Sequence, residues 1–168
     1  MNAIASVTSD WGIGHDGGLL VPNKQDMRRF VKLTMGGTVV MGRKTLESLP
    51  GQRPLKGRRN VVLSARPHYR PSGFEVAASV DEALELVRAD DPSRVWVMGG
   101  ATVYEALLPH CDRAYLTMNH VVVEADTYFP DLDEAPDWRL TEKDAAGTTA
   151  DGVPFSYLLY ERASASLG

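Results

Sequence analysis

The sequence predicts a mixed α/β fold: a mostly parallel sheet of about eight strands, about four flanking helices and an antiparallel edge near the C-terminus. Short runs that are nearly continuous in Val, Ile and Leu alternate with helical patterns, which is typical of buried strands joined by crossover helices. No internal repeat or long linker interrupts the alternation. Residues 1–168 are therefore expected to form a single domain with one core.

Strand candidates are short apolar runs, and the last two of them have no helical pattern between them. Without a crossover helix, these two should pair antiparallel at one edge of the sheet. The seven runs are 3–8, 38–41, 60–64, 74–77, 94–98, 113–123 and 155–162.

Helical spacing of apolar residues marks the segments between the strands. In 79–90, Ser79 followed by Glu82 forms a capping box at the helix start. In 23–34, one side of the predicted helix carries Met27, Phe30, Val31 and Thr34. The other two predicted helices are 42–49 and 101–108.

Composition argues against several classes of protein. A formal net charge of -4 gives no global basic field for binding nucleic acid. The single cysteine, Cys111, allows neither an internal disulfide nor a cysteine-based zinc site and fits a reducing compartment. No run approaches the ~20 apolar residues of a membrane span, and the N-terminus does not read as a signal peptide. We expect a cytoplasmic protein with no membrane partner and no metal.

Two glycine-containing turns lie where a predicted strand gives way to a helix. Gly42 precedes Arg43, Lys44 and Thr45, and the pair Gly99-Gly100 precedes Ala101 and Thr102. Free N–H groups and the helix dipole suit a phosphate there, and glycine lets it approach closely. Basic residues are unfavourable in a first helical turn unless an anion lies nearby. Either turn alone could equally be an ordinary connection with solvated charges.

A third strand end adds an arginine and a serine. Ser64 ends the run 60–64 and Ala65 and Arg66 follow it, and a hydroxyl beside a guanidinium suits a phosphomonoester. Three such strand ends together predict a ligand with several phosphates. Because the chain has neither GxxxxGK[ST] nor GxGxxG after its first strand, a P-loop enzyme or a Rossmann dehydrogenase is disfavoured.

Asp26 is a lone acid on the apolar side of the helix 23–34. It precedes Phe30 by four residues and so shares its face. If that face points inward, desolvation should raise the pKa of Asp26 above ~3.9, towards acid catalysis near neutral pH. An exposed aspartate at a helix start is the alternative.

Six segments follow one another along the chain: "IGHDGGLLVPNKQDMRRFVKLT", "VMGRKTLESLP", "RPLKGRRNVVLS", "VMGGATVYEALLP", "YLTMNH" and "ADTYFPD". In their order and spacing they resemble the dihydrofolate reductase family over nearly the whole chain. The resemblance implies NADPH-dependent reduction of 7,8-dihydrofolate to 5,6,7,8-tetrahydrofolate, with hydride transfer to C6 and protonation at N5, in support of one-carbon and thymidylate metabolism. It also implies a monomer that binds antifolates such as methotrexate or trimethoprim.

For the cofactor, the resemblance implies that Arg43, Ser64 and Arg66 hold the 2′-phosphate of NADPH. Gly99 and Gly100 should be joined by a cis peptide against the cofactor. The full set of implied cofactor residues is Ala5, Ile13, Gly14, Leu19, Gly42, Arg43, Lys44, Thr45, Leu63, Ser64, Ala65, Arg66, Met98, Gly99, Gly100, Ala101, Thr102, Val103 and Tyr104.

For the substrate, the resemblance implies that Asp26 binds the 2-amino group and N3 of the pterin, with Thr117 hydrogen-bonded behind it. Arg58 should pair with the α-carboxylate of the glutamate tail. The backbone carbonyls of Ile4 and Met98 should accept from the 4-amino group of antifolates. The implied substrate residues are Ile4, Ala5, Met27, Phe30, Leu49, Leu55, Arg58 and Met98.

The chain departs from the family pattern at the end of the loop 13–24, where Leu20 and Val21 stand in place of the usual Pro-Trp pair. Valine has no N–H donor for a water near the acid, and Gly17 and Gly18 should make this loop more mobile. Two alternatives are an NADPH-dependent pyrimidine reductase of riboflavin synthesis, which shares the fold, and a non-catalytic folate or nucleotide carrier.

Overall fold

A computed structural model describes residues 1–163, and these contain four α-helices and ten strands. None of the described helices is long and apolar enough to cross a membrane. The helices are Lys24–Thr34 (α1), Arg43–Ser48 (α2), Val80–Val87 (α3) and Ala101–Leu107 (α4). The strands are Asn2–Thr8 (β1), Gly12–Gly14 (β2), Thr38–Gly42 (β3), Arg59–Leu63 (β4), Glu75–Ala77 (β5), Val95–Val97 (β6), Arg113–Asn119 (β7), Thr127–Tyr128 (β8), Trp138–Thr148 (β9) and Pro154–Arg162 (β10).

Eight strands form one sheet in the order β5-β4-β3-β6-β1-β7-β10-β9. Neighbours from β5 to β7 run parallel, and β10 runs antiparallel to both β7 and β9. The predicted fold class, a mostly parallel eight-stranded sheet with an antiparallel C-terminal edge, is confirmed. The short strands β2 and β8, which pair as a second sheet, were not predicted.

The edge strand of the sheet is not the one that the sequence predicted. β7 and β10 pair antiparallel as expected, but β9 covers the other side of β10 and is the edge strand. The prediction that β7 and β10 form the edge was wrong because β9 was not recognised. Nine of its 11 residues are exposed, so the segment lacks the apolar alternation by which a strand is read from sequence.

Two elements are four residues shorter than predicted. β7 ends at Asn119, not at residue 123, because the N–H of Val121 turns back to the Asn119 carbonyl. α3 ends at Val87, not at residue 90, where the N–H of Asp90 bonds to the Val87 carbonyl. At its start, the Ser79 hydroxyl accepts from the N–H of Glu82 at 3.1 Å, as the capping box predicts.

Both faces of the parallel part of the sheet are buried, which explains the continuous apolar runs. Successive side chains of a strand point to opposite faces: Val40 belongs to one apolar cluster, and Val39 and Met41 belong to the other. The cluster that contains Val39 and Met41 also receives Phe30 of α1 and Leu55. α1 and its lone acid therefore face the same side of the sheet as this second cluster.

Candidate active site

The site lies where two neighbouring parallel strands part. β1 pairs with β6 only as far as Ala3 and Val97, whereas it stays paired with β7 as far as Thr8. Beyond β6 the chain follows β3 instead, because the N–H of Met98 donates to the carbonyl of Val40 at 2.9 Å. The divergence leaves a cleft at the carboxyl ends of the strands, the usual ligand position in an α/β sheet.

Asp26 faces this cleft and is held from two directions. The side chain of Asn23 caps α1 by accepting from the N–H of Asp26 at 3.0 Å. The hydroxyl of Thr117, in β7, donates to the Asp26 carboxylate. Thr117 is itself buried and pairs in register with Ser6 of β1. The structure thus brings together Asp26 and Thr117, as the resemblance implies.

The pKa of Asp26 is raised above its ordinary value, chiefly because burial disfavours the charged carboxylate. The hydrogen bond from Thr117 and the positive charge of Arg29 act in the opposite direction. The inward orientation expected for this acid is confirmed, and the alternative of a fully solvated aspartate is wrong. A carboxyl group in this setting holds a proton more readily near neutral pH.

An apolar wall runs beside Asp26. Phe30, Leu49, Leu55 and Met98 all pack on the cluster that contains buried Ile4. Met27, one residue after Asp26, leaves 50% of its surface exposed, so the predicted apolar side of α1 is only partly covered by the fold. Such an uncovered apolar strip beside a buried acid suits a flat, largely apolar ring system.

Arg58 stands at the far end of that wall. Its Nε donates to the Lys56 carbonyl at 3.0 Å, and a terminal nitrogen donates to the Thr34 hydroxyl at 3.1 Å. Its guanidinium carbon lies 5.9 Å from the centroid of the Phe30 ring. Partial burial lowers the pKa of Arg58, but a guanidinium in a protein stays charged. A carboxylate at this end of the cleft would therefore meet a fixed positive charge.

Of the two glycine turns, the one at Gly100 borders open space, whereas a Cβ on Gly42 would lie 3.0 Å from Val103. Gly42 and Gly100 are the N-caps of α2 and α4, and neither helix start has a side-chain cap. The peptide between Gly99 and Gly100 is cis, as predicted. A Cβ placed on Gly100 would meet only Thr45 Oγ1 within 4 Å, at 3.6 Å. The backbone at Gly100 is therefore open to close approach by another group.

The three strand ends predicted to bind an anion are neighbours, because β4, β3 and β6 are adjacent in the sheet. Arg43, after β3, pairs with Glu47 at 2.7 Å. Ser64, after β4, accepts from the N–H of Arg66 at 3.3 Å, and the Arg66 side chain is exposed. The structure therefore gathers these predicted groups at one end of the sheet.

The remaining predicted cofactor residues divide between the core and the surface. Tyr104 is buried, and its hydroxyl donates to the Ile4 carbonyl at 2.6 Å. Leu19 is 68% exposed, so its implied role in binding the cofactor stays a prediction. The others are ordered here from buried to exposed. Buried is Val103; partly buried against the core are Ala5, Ile13 and Leu63; half-buried are Gly14 and Ala101; exposed are Lys44, Ala65 and Thr102.

Sequence reasoning missed Arg29, which lies three residues after Asp26 on α1 and packs on Tyr157 of β10. Its guanidinium carbon is 4.0 Å from the centroid of the Tyr157 ring. The available signal was spacing, because residues three apart on a helix are neighbours on its surface. Sequence reasoning also gave no role to Asp126, whose carboxylate accepts from the N–H of Asp16 at 2.8 Å and so joins two loops.

Comparison with known proteins identifies the family. The sequence model described as "Dihydrofolate reductase" matches residues 1–162. The chain belongs to the dihydrofolate reductase family. It is therefore an oxidoreductase that reduces dihydrofolate with NADPH, and neither a pyrimidine reductase nor a non-catalytic carrier is favoured.

Individual relatives agree with the family model. The dihydrofolate reductase of Bacillus subtilis is 36% identical over 156 residues, which are 92% of this chain and 89% of that protein. A type 3 dihydrofolate reductase of Salmonella typhimurium is 41% identical over 131 residues, 78% of each chain. A solved dihydrofolate reductase from Enterococcus faecalis, complexed with NADP(H) and RAB-propyl, superposes with a TM-score of 0.86 at 32% identity. It covers 96% of this chain and 95% of its own.

Proposed function

We propose that the cleft between β1 and β6 carries out the reduction of 7,8-dihydrofolate, with Asp26 as the acid of the site. The observation that carries this proposal is the half-buried Asp26 carboxyl, which is held by Thr117 and whose pKa is raised by burial. The reaction adds a hydride at C6 and a proton at N5 of the pterin. Asp26 contributes to the second part, and the proton reaches N5 through water beside it.

The substrate lies along the apolar wall. Asp26 binds the 2-amino group and N3 of the pterin, and the wall of Phe30, Leu49 and Leu55 packs on the rings together with Met27. Arg58 pairs with the α-carboxylate of the glutamate tail. Methotrexate and trimethoprim bind in the same place, with their 4-amino group against the backbone carbonyls of Ile4 and Met98.

The cofactor lies across the ends of β3, β4 and β6. When bound, NADPH supplies the hydride. Arg43, Ser64 and Arg66 hold its 2′-phosphate, which favours NADPH over NADH. Gly42, Lys44, Thr45 and Thr102 border the other phosphates, and Ala5, Ile13 and Leu19 frame the nicotinamide. The open space before Gly100 and the adjacency of the three strand ends support this placement.

Replacing Asp26 tests the role of the acid. Asp26→Asn keeps an acceptor for Thr117 but removes the titrating proton, so turnover near pH 7 should fall about 10²-fold or more. Its dependence on pH between about 5 and 9 should flatten. The measurement is the loss of NADPH absorbance with dihydrofolate. Asp81→Asn, an exposed aspartate in the first turn of α3, is the matched control. Unchanged turnover with an unchanged pH profile would refute the role of Asp26.

We also infer that residues 1–168 act as one domain, as a monomer, in the cytoplasm. The lone thiol supports this inference, because Cys111 is buried and burial raises its pKa to about 12. A thiol of that kind forms neither a disulfide nor a reactive thiolate. Light scattering on the purified protein should give a mass near 18.4 kDa, and a mass of twice that value would contradict the monomer.

A further inference from the structure

Arg29 is held against the same patch of sheet that holds Asp26. The two residues are three apart on α1, so their side chains leave neighbouring positions of the helix surface. The Arg29 guanidinium lies over the ring of Tyr157, at 4.0 Å from its centroid. Tyr157 pairs in register with Thr117, whose hydroxyl donates to the Asp26 carboxylate.

Among residues 1–163, the contact that fixes the guanidinium is therefore an aromatic ring, and no carboxylate forms an ion pair with it. A cation over a tyrosine face keeps its full charge, because the ring has no charge to cancel it. Burial lowers the pKa of Arg29, while nearby groups raise it: Tyr157 first, then Asp26, Tyr115 and Asp144.

The groups that face Asp26 come from every element packed around it. α1 contributes Arg29 itself, β7 contributes Thr117, and β10 contributes Tyr157. Tyr104 of α4 is a buried phenol whose charged form would be opposed by Asp26. Asp144 of β9 pairs in register with Tyr157 and is exposed. Arg29 is the cation of this set.

We propose that Arg29 is a positioning residue that acts on Asp26 through its positive charge and thereby lowers the pH range over which the acid of this site is protonated. The link to turnover rests on the proposed role of Asp26. Burial favours the neutral acid, and Arg29 limits this effect by stabilising the carboxylate. Without the charge, Asp26 keeps its proton to higher pH.

The test is a direct titration of the Asp26 carboxyl carbon by NMR in the ligand-free protein, with Asp26→Asn to assign the signal. Arg29→Gln should raise the proton affinity of Asp26 roughly threefold or more, and Arg29→Lys should restore it most of the way. Arg28→Gln, which removes an exposed charge from the next position of the helix, is the matched control and should leave the titration unchanged.

The salt dependence of the Asp26 titration is a second measurement, and it can be made on the unsubstituted protein alone. Added salt screens a charge that acts through partly solvated space, so the Asp26 titration of the unsubstituted protein should move to higher pH as salt is added. In Arg29→Gln this movement should be smaller. The same upward movement should appear in the pH profile of kcat/KM.

Two outcomes overturn the proposal. One is a titration of Asp26 that is the same in Arg29→Gln and in the unsubstituted protein. The other is an equal shift in Arg29→Gln and Arg29→Lys, which would assign Arg29 a packing role and no role through charge. If Arg29→Gln does not fold, Arg29→Lys and the salt titration decide. Because the NMR titration needs no turnover, it separates this proposal from the catalytic role of Asp26, which the kinetics of Asp26→Asn test.

Discussion

The hydroxyl of Tyr104 donates a 2.6 Å hydrogen bond to the backbone carbonyl of Ile4. This bond ties α4 to β1 just beyond Ala3, where β1 loses its pairing with β6. The carbonyl thus finds a partner in a side chain where the sheet no longer supplies one. The bond therefore fixes α4 to β1 beside the cleft.

Removing that hydroxyl should destabilise the protein. Tyr104→Phe leaves the Ile4 carbonyl unpaired in a buried place, and such a loss costs about 1–3 kcal/mol. Denaturant unfolding of the ligand-free protein measures the difference. Tyr128→Phe is the control, because the Tyr128 hydroxyl is exposed and lies 3.4 Å from the Ala125 carbonyl. Equal stability of the two variants would show that the Tyr104 bond contributes nothing.

Asp26 should reduce the stability of the ligand-free protein at neutral pH. Its pKa is higher in the folded than in the unfolded chain. Between these two pKa values the folded state therefore binds more protons than the unfolded state, and the free energy of unfolding falls as pH rises through that range. Asp26→Asn removes this loss. The variant should therefore be more stable than the unsubstituted protein at pH 7, although it is less active.

The measurement is the free energy of unfolding at several pH values. Near pH 3, below the ordinary pKa of aspartate, Asp26 is protonated in both states and contributes no pH-dependent difference. The gain of Asp26→Asn should therefore be smaller there than at pH 7. Asp81→Asn serves again as the exposed control. A gain that does not change with pH would contradict the linkage.

Site residues could be predicted from the sequence where their type is unfavourable for their position in a helix. Basic residues at a helix start, after Gly42, and an acid on the apolar side of α1 are both unfavourable unless a ligand compensates. The position of Arg29 is not unfavourable in this way, because arginine is common on helix surfaces. Its importance arises from Tyr157, which lies more than a hundred residues later and reaches it only through the fold.

The strands of the sheet likewise divide into those that can be recognised from the sequence and those that cannot. Its parallel strands are buried on both faces, so segments such as Val39 to Met41 are apolar throughout and can be recognised as strands from the sequence. β9 is exposed on both faces and is held by its backbone pairing with β10. Backbone hydrogen bonds do not depend on side-chain type, so no pattern in 138–148 could reveal this strand.

Glu47 should compete with the cofactor for Arg43. In the ligand-free protein the two side chains pair at 2.7 Å on the exposed face of α2, an interaction worth about 0.2–1 kcal/mol. Glu47→Gln removes this competitor and a repulsive negative charge, so NADPH should bind up to about fivefold more tightly. Fluorescence titration with NADPH and NADH measures the change. NADH lacks the 2′-phosphate and is the control, and equal gains for both would place Arg43 away from that phosphate.

Asp126 should hold the loop that follows β2. Its carboxylate accepts from the N–H of Asp16 at 2.8 Å, and its own N–H donates to the Gly14 carbonyl at 2.9 Å. Asp126→Ala removes the first bond and leaves the second. Since one such bond contributes about 0.5–1.5 kcal/mol, hydrogen exchange at the Asp16 amide should quicken about two- to tenfold.

The acceptor and the charge of Asp126 can be separated. Asp126→Asn keeps an oxygen that can accept from the Asp16 amide but removes a negative charge close to the Asp16 carboxylate and the His15 ring. If the hydrogen bond orders the loop, exchange at Asp16 stays slow in Asp126→Asn and quickens only in Asp126→Ala. If both variants quicken exchange equally, the loop is ordered by the charge and not by the hydrogen bond. Because Leu19 follows in this loop, Asp126→Ala should also raise the KM for NADPH, while the amides of β3 keep their protection.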